Sequence, residues 1–167
     1  HPGWPDDKST LYPVHEDLLK AGKIHAVEVL NYMEYYPIAF DWCNQYGIAP
    51  MANTDIHDLV SGDYGWGGGK MRPMTLVFAT ERSEKGIKDA LFARRTAALF
   101  DGKLVSKAEY LMKLIQASLK IRRINDGTIE VTNTSDIPYE MTNGGKLYFF
   151  PCHKTVRIGI PKEGALV

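Results

Sequence analysis

The sequence predicts an α/β domain followed by a small antiparallel β-sandwich. Three observations carry that prediction. Over residues 1–105, short β-branched or apolar runs alternate with segments of helical period. From Leu119 onward the period becomes two, as in Thr128-Ile129-Glu130-Val131-Thr132 and Thr155-Val156-Arg157-Ile158-Gly159-Ile160. Turn signals divide that second region at Asn125-Asp126-Gly127, Asn143-Gly144-Gly145 and Pro151. The expected division is therefore 1–105 and 106–167, the second part opening with a linker helix.

The elements follow in order. His15 to Ala21 reads as a short helix ended by Gly22. Ala26 to Leu30 suits a buried strand. In Pro37 to Tyr46, Ala39, Trp42, Cys43 and Tyr46 share one helical face, with Pro in the first turn and Gly47 at the end. Ile48 to Ala52 is a second strand, and a glycine-rich loop runs from Asp58 to Pro73. Met74 to Ala79 is a third strand, Ser83 to Arg94 a helix, and Thr96 to Phe100 a further strand before the Asp101-Gly102 turn. Strand–helix–strand alternation argues for a parallel sheet, and three or four strands are too few to close a barrel. Ser106-Lys107-Ala108-Glu109 has the form of a capping box, opening a helix over 107–117.

Composition narrows the function classes. The 167 residues carry 20 basic and 20 acidic side chains, so no basic excess points to nucleic acid. Arg94-Arg95 and Arg122-Arg123 are read as solvated surface. No apolar run reaches the roughly 18 residues a membrane helix needs. The two cysteines, Cys43 and Cys152, make no disulfide framework and leave the compartment unread. The chain opens at His1-Pro2-Gly3-Trp4-Pro5 without an initiator Met, which leads us to expect residues upstream.

The sharpest chemical feature is Asn53-Thr54-Asp55-Ile56-His57-Asp58, at the C-terminal end of a predicted strand. In a strand, Asp55 and His57 would face one way, about 6–7 Å apart, presenting a carboxylate and an imidazole to one metal ion or two neighbouring ones. The plainer alternative is a turn-capping Asp and a surface His. His1 stands on a rigid Pro-Gly turn, although a terminal His also fits the end of a purification tag. Arg72, just after the glycine-rich loop, is the candidate phosphate contact, since a guanidinium grips phosphate by two hydrogen bonds; a surface salt bridge is the other reading. The run Gly65-Trp66-Gly67-Gly68-Gly69-Lys70 fails the phosphate-loop pattern, with Met71 where Ser or Thr is required and Tyr64 where Gly is required. It reads as a lid or a plain loop. Tyr32 and Tyr35 would line a substrate cleft if they lie at the functional end of their strand. His15, His25 and His153 are read as surface or turn residues, and Cys43 as a packed thiol.

Taken together these segments resemble the PHP (polymerase and histidinol phosphatase) family of metal-dependent phosphoesterases. His1-Pro2-Gly3-Trp4-Pro5 is similar to its third motif, Thr54-Asp55-Ile56-His57 to its fourth, and Ala26-Val27-Glu28-Val29-Leu30-Asn31 to the strand ending in Glu-x-x-Asn between them. Arg72-Pro73-Met74-Thr75-Leu76-Val77-Phe78-Ala79 resembles a segment of a bacterial phosphodiesterase-like branch in which a β-rich domain follows. The resemblance implies the C-terminal portion of a distorted seven-stranded β/α barrel. It implies hydrolysis of a small-molecule phosphate ester at a centre of two or three divalent ions, Zn, Mn or Fe. His1, Asp55 and His57 would be metal ligands, and Asp55 would also orient or deprotonate the attacking water. The family's first motif, His-x-His, and the ligands of its second region are absent. The missing N-terminal half of the barrel would therefore be a necessary partner, and the chain alone would be inactive. Two other classes stay open: a barrel metal hydrolase of the amidohydrolase type, and a binding module without catalysis.

Overall fold

A computed structural model of the chain describes residues 8–65 and 71–159. The chain divides into two compact units, His1–Leu111 and Met112–Val167.

The first unit contains α1 (Pro13–Lys20), β1 (Ala26–Asn31), β2 (Glu34–Tyr35), α2 (Pro37–Tyr46), β3 (Ala49–Asn53), α3 (Val60–Tyr64), β4 (Met74–Val77), α4 (Glu84–Phe92), β5 (Thr96–Phe100) and β6 (Lys103–Val105). Helix α2 has the bounds its punctuation predicts. Pro37 occupies the first turn, and Gly47 caps the end at φ 61°, a left-handed backbone that glycine adopts without a Cβ penalty. Its inner face buries Ala39 and Cys43 against Val29, Leu30 and Ala52 of β1 and β3.

Strands β1 and β3 are parallel, Ala26 opposite Ala49 and Asn31 opposite Asn53, with β2 antiparallel on the outer edge of β1. The predicted parallel sheet stops there. Strands β4, β5 and β6 form a separate antiparallel sheet. The reason is visible at the neck of the β4–β5 connection. The Phe78 N–H donates to the Arg95 carbonyl at 2.9 Å, so α4 lies within a closed excursion rather than on a crossover. Both sheets are open, and the described residues do not form a closed barrel wall.

The two sheets of this unit are stitched by hydroxyls instead of a ladder. Ala49 N–H donates to the His25 carbonyl on the β1 side, so by alternation Pro50 and Ala52 turn their main-chain groups to the other edge. Pro50 has no N–H to give there. Thr96 Oγ1 donates to the Pro50 carbonyl at 2.8 Å, and Thr75 Oγ1 both accepts from Ala52 N (2.9 Å) and donates to Ala52 O (3.0 Å). These bonds fix the start of β4 beside the end of β3, which positions the site described below.

Helix α5 (Ala108–Ser118) carries the chain into the second unit. The Lys107 carbonyl accepts the first helical bonds, so the helix begins one residue later than the capping box predicts. The Ser106 hydroxyl instead donates to the Thr96 carbonyl at 2.6 Å.

The second unit holds β7 (Leu119–Asn125), β8 (Thr128–Asn133), β9 (Tyr139–Asn143), β10 (Lys146–Phe150) and β11 (Thr155–Gly159). They form two antiparallel sheets, β11-β8-β7 and β10-β9, as a small sandwich requires. Gly144 and Gly145, at φ 56° and 77°, make the two-residue turn between β9 and β10, where both central residues need positive φ. Val131, Tyr139, Met141, Tyr148 and Phe150 are the buried apolar side chains. Asn133 ties the sheets together: its amide donates to the carbonyls of Ile137 (2.8 Å) and Phe150 (3.0 Å). On β7, Arg122 pairs with Glu130, which also pairs with Arg157, while Arg123 pairs with Asp126. The Arg157 and Arg122 hydrogen bonds hold the Glu130 carboxyl below the usual glutamate value.

Cys43 tests the packing of the first unit. Burial pushes its thiol pKa up to about 12, so the reactive thiolate is scarce at neutral pH. In the native protein at pH 8, iodoacetamide is expected to label Cys152, which is partly exposed, and to spare Cys43 until denaturant is added. Mass mapping of the alkylated peptides checks this; equal native labelling of both would contradict the buried assignment.

Candidate functional site

The site lies where the parallel strands end. Strand β3 stops at Asn53, and Asp55 takes φ 50°. Asp tolerates this left-handed region better than most residues because its short polar side chain bonds locally. The backbone therefore turns at Asp55, and strand alternation does not reach it. The strand-based argument that aligned Asp55 with His57 is corrected by this turn. Both side chains are exposed. The turn is braced by Tyr64, whose hydroxyl donates to the Thr54 carbonyl at 2.8 Å. Burial, followed by the neighbouring Tyr32, Asp63 and Asp55, pushes the Tyr64 phenol up and so keeps it a donor. Tyr64 ends α3, a short helix within the stretch 58–73 that the sequence reads as loop.

Across from Asp55, Arg72 and Pro73 lead into β4. The two segments enclose an open cleft of about 620 Å³, lined among others by Asn53, Thr54, Asp55, Ile56, Arg72 and Met74. A volume of this order suits a small organic ligand. The structure thus brings Asp55 and Arg72 to one cleft, held in register by the Thr75–Ala52 bonds. Arg72 is exposed and forms no ion pair among the described residues. His57 follows the cleft in sequence but does not line it. His1, and residues 66–70 of the glycine-rich run, lie outside the described residues.

Asn53 of this lining belongs to a hydrogen-bonded network with Glu28 and Asn31, and none of the three had a predicted role. Asn31 Nδ2 donates to Glu28 Oε2, and Asn53 Nδ2 to Glu28 Oε1, both at 2.6 Å. Burial acts to raise the Glu28 pKa, the amide bonds act the other way, and the net direction is downward. Asn31 is 3% exposed, and its Oδ1 has no hydrogen-bond partner among the described residues. A buried acceptor left open is costly. The Glu-x-x-Asn spacing was the available signal. In a regular strand residues i and i+3 face apart; the shift in pairing between Glu28 and Leu30 turns them together.

The donor chemistry fits a hard or borderline divalent ion in kind: a carboxylate from Asp55, an imidazole from His57 and the open amide oxygen of Asn31. The set is incomplete. Among the described residues no three His, Cys, Asp or Glu side chains are gathered closely enough to hold a metal. The other described histidines are occupied otherwise. His15 Nδ1 accepts from Tyr12 N at 3.4 Å, His25 packs edge-on to Phe92, and His153 bonds Asp136 at 2.7 Å.

Comparison with known proteins gives one finding of weight. The chain is similar to a two-domain protein containing a predicted PHP-like metal-dependent phosphoesterase from Bacteroides vulgatus ATCC 8482, known from its crystal structure. The TM-score is 0.85 at 34% sequence identity, over 99% of this chain and 53% of that one. The chain therefore spans about half the length of that neighbour. No family model matches the sequence. No curated protein matches it either.

Proposed function

We propose that the chain supplies part of the active site of a metal-dependent phosphoesterase, acting on a small-molecule phosphate ester. The observation that carries this reading is the shared cleft. It brings a carboxylate, Asp55, and a guanidinium, Arg72, to one lining at the C-terminal end of a parallel strand pair. The likeness to a two-domain protein described as PHP-like and metal-dependent supports the same class of chemistry.

Asp55 and His57, with His1, would hold metal, of which Zn, Mn and Fe suit such N and O donors. Residues beyond this chain, in an N-terminal barrel half, would complete the set of two or three ions. When bound, such ions supply an activated water and a clamp on the attacking and leaving oxygens. The chain's own residues orient the reactants. Asp55 accepts a hydrogen bond from the attacking water and can take its proton. Arg72 holds two non-bridging phosphate oxygens through paired N–H bonds, which fixes the phosphorus for in-line attack.

The test is hydrolysis of p-nitrophenyl phosphate and bis(p-nitrophenyl) phosphate by the full-length protein, before and after chelation. Turnover that disappears on chelation and returns with Zn, Mn or Fe is expected. An amide or lactam substrate turned over in place of either ester would overturn the reading. Within this scheme Arg72→Ala is expected to raise KM by about ten- to a hundredfold, since a charged hydrogen-bonded contact contributes roughly 1.5–3 kcal/mol. Arg72→Lys should recover part of the loss, because Lys keeps the charge without the fork. Steady-state kinetics on the three proteins decide it; an unchanged KM in Arg72→Ala would remove Arg72 from the site.

A further inference from the structure

Tyr32 occupies a place that backbone physics assigns to another residue. It is the first of two central residues in the loop joining β1 and β2, where Asn31 pairs with Glu34. Two-residue hairpin loops need positive φ at that position and take Gly, Asn or Asp there. Tyr32 has φ 52°. A bulky side chain held in this region is a local conflict, and such conflicts gather at binding and catalytic sites.

The ring is also placed for use. Tyr32 is 40% exposed at the end of β1 that carries the site. Its N–H donates to the Asn53 carbonyl at 3.1 Å, one bond from the cleft lining. Its edge packs on buried Tyr64 at 6.1 Å between centroids, and Tyr64 in turn holds the Thr54 carbonyl. One side of the ring is thus braced while part of its surface stays open. The cleft lined by Asn53 adds the second observation, with Tyr32 next to that lining and not part of it. At about 620 Å³ it exceeds what a bare phosphate fills, and its lining is mixed: Met51, Ile56, Pro73, Met74 and Leu76 give apolar surface beside Asn53, Asp55 and Arg72.

We propose that Tyr32 is a specificity-determining residue that stacks on a planar aromatic group of the substrate, making aryl-like phosphate esters the preferred class over small aliphatic ones. This rests on the phosphoesterase reading of the cleft. Arg72 takes the phosphate end, and the apolar part of the lining with Tyr32 takes the organic end.

Binding of non-hydrolysable probes separates this claim from turnover. Phenylphosphonate and methylphosphonate are titrated calorimetrically into the metal-loaded full-length protein, into Tyr32→Gly and into Tyr32→Phe. The expected result is a preference for phenylphosphonate of about tenfold in the parent protein, the scale of one ring-stacking contact. Tyr32→Phe should keep the preference. Tyr32→Gly should abolish it while the melting temperature holds or rises, because Gly relieves the positive φ. No preference in the parent protein, no measurable binding of phenylphosphonate, or a preference that survives Tyr32→Gly would each overturn the proposal. Equal losses for both probes in Tyr32→Gly would mark Tyr32 as a brace for Tyr64 and overturn it too. A protein that hydrolyses no phosphate ester, yet keeps a Tyr32-dependent preference for phenylphosphonate, would sink the phosphoesterase reading and with it the substrate class, leaving only the Tyr32 aryl contact.

Discussion

Asp55→Ala is expected to lower kcat/KM for a phosphate ester by on the order of 10³, the scale of losing a preorganised charge at the reacting centre. Metal content of the purified protein should fall with it. Asp55 combines two properties that the substitution removes together. It carries the carboxylate on the cleft wall opposite Arg72, and it holds a left-handed backbone at φ 50°. Ala cannot adopt that backbone without strain, so part of its effect would be structural. Asp55→Asn separates the two, because Asn also tolerates this region but has no charge. If the charge is what matters, Asn should lose nearly as much turnover as Ala while melting at the parent temperature. Metal analysis and turnover measured side by side check this. Full metal content and parent turnover in Asp55→Asn would exclude Asp55 as ligand or base.

The largest expected loss of stability lies in the second unit, at Asn133. This side chain is fully buried and its bonding capacity is well used. It donates to Ile137 O and Phe150 O, and its Oδ1 accepts from Ser135 N (2.9 Å) and Ser135 Oγ (2.8 Å). Asn133→Ala would remove four hydrogen bonds, each contributing about 0.5–1.5 kcal/mol, although the Ile137 carbonyl keeps the Ser135 hydroxyl at 3.2 Å. Relaxation trims the sum, and a loss of about 3 kcal/mol is expected, a fall in melting temperature of roughly 10 °C. Asn133→Asp should be as damaging, since a carboxylate cannot donate to either carbonyl. Thermal unfolding followed by circular dichroism checks both. A shift under about 2 °C in each would mean that Asn133 does not hold the two sheets together.

Legibility in the sequence followed how local the cause was. Helix α2 was readable to the residue because Pro37 and Gly47 act on their own backbone. The β9–β10 turn was readable from Gly144-Gly145 for the same reason. The two-residue strand β2 was hidden, because its loop uses Tyr32 where Gly or Asn would have announced it. The antiparallel pairing of β4 with β5 was hidden as well. An intervening helix normally signals a crossover, and only the Phe78–Arg95 bond shows the segment to be closed at its neck. At the site, Asp55 and Arg72 were singled out by residue type and position as candidates, and both line one cleft. The Glu28–Asn31–Asn53 network was not found, since it depends on a pairing shift in β1 and on a neighbouring strand. The turn at Asp55 also replaced the strand geometry expected of the Asp-x-His pair.

The central claim is that Asp55 and His57 coordinate metal beside the Arg72 cleft. Anomalous diffraction from crystals of the metal-loaded full-length protein tests it most directly. The account predicts a peak within about 2.0–2.2 Å of an Asp55 carboxylate oxygen or a His57 ring nitrogen, the ordinary ligand distances for such ions. Metal bound only elsewhere, with both side chains free of it, would contradict the account.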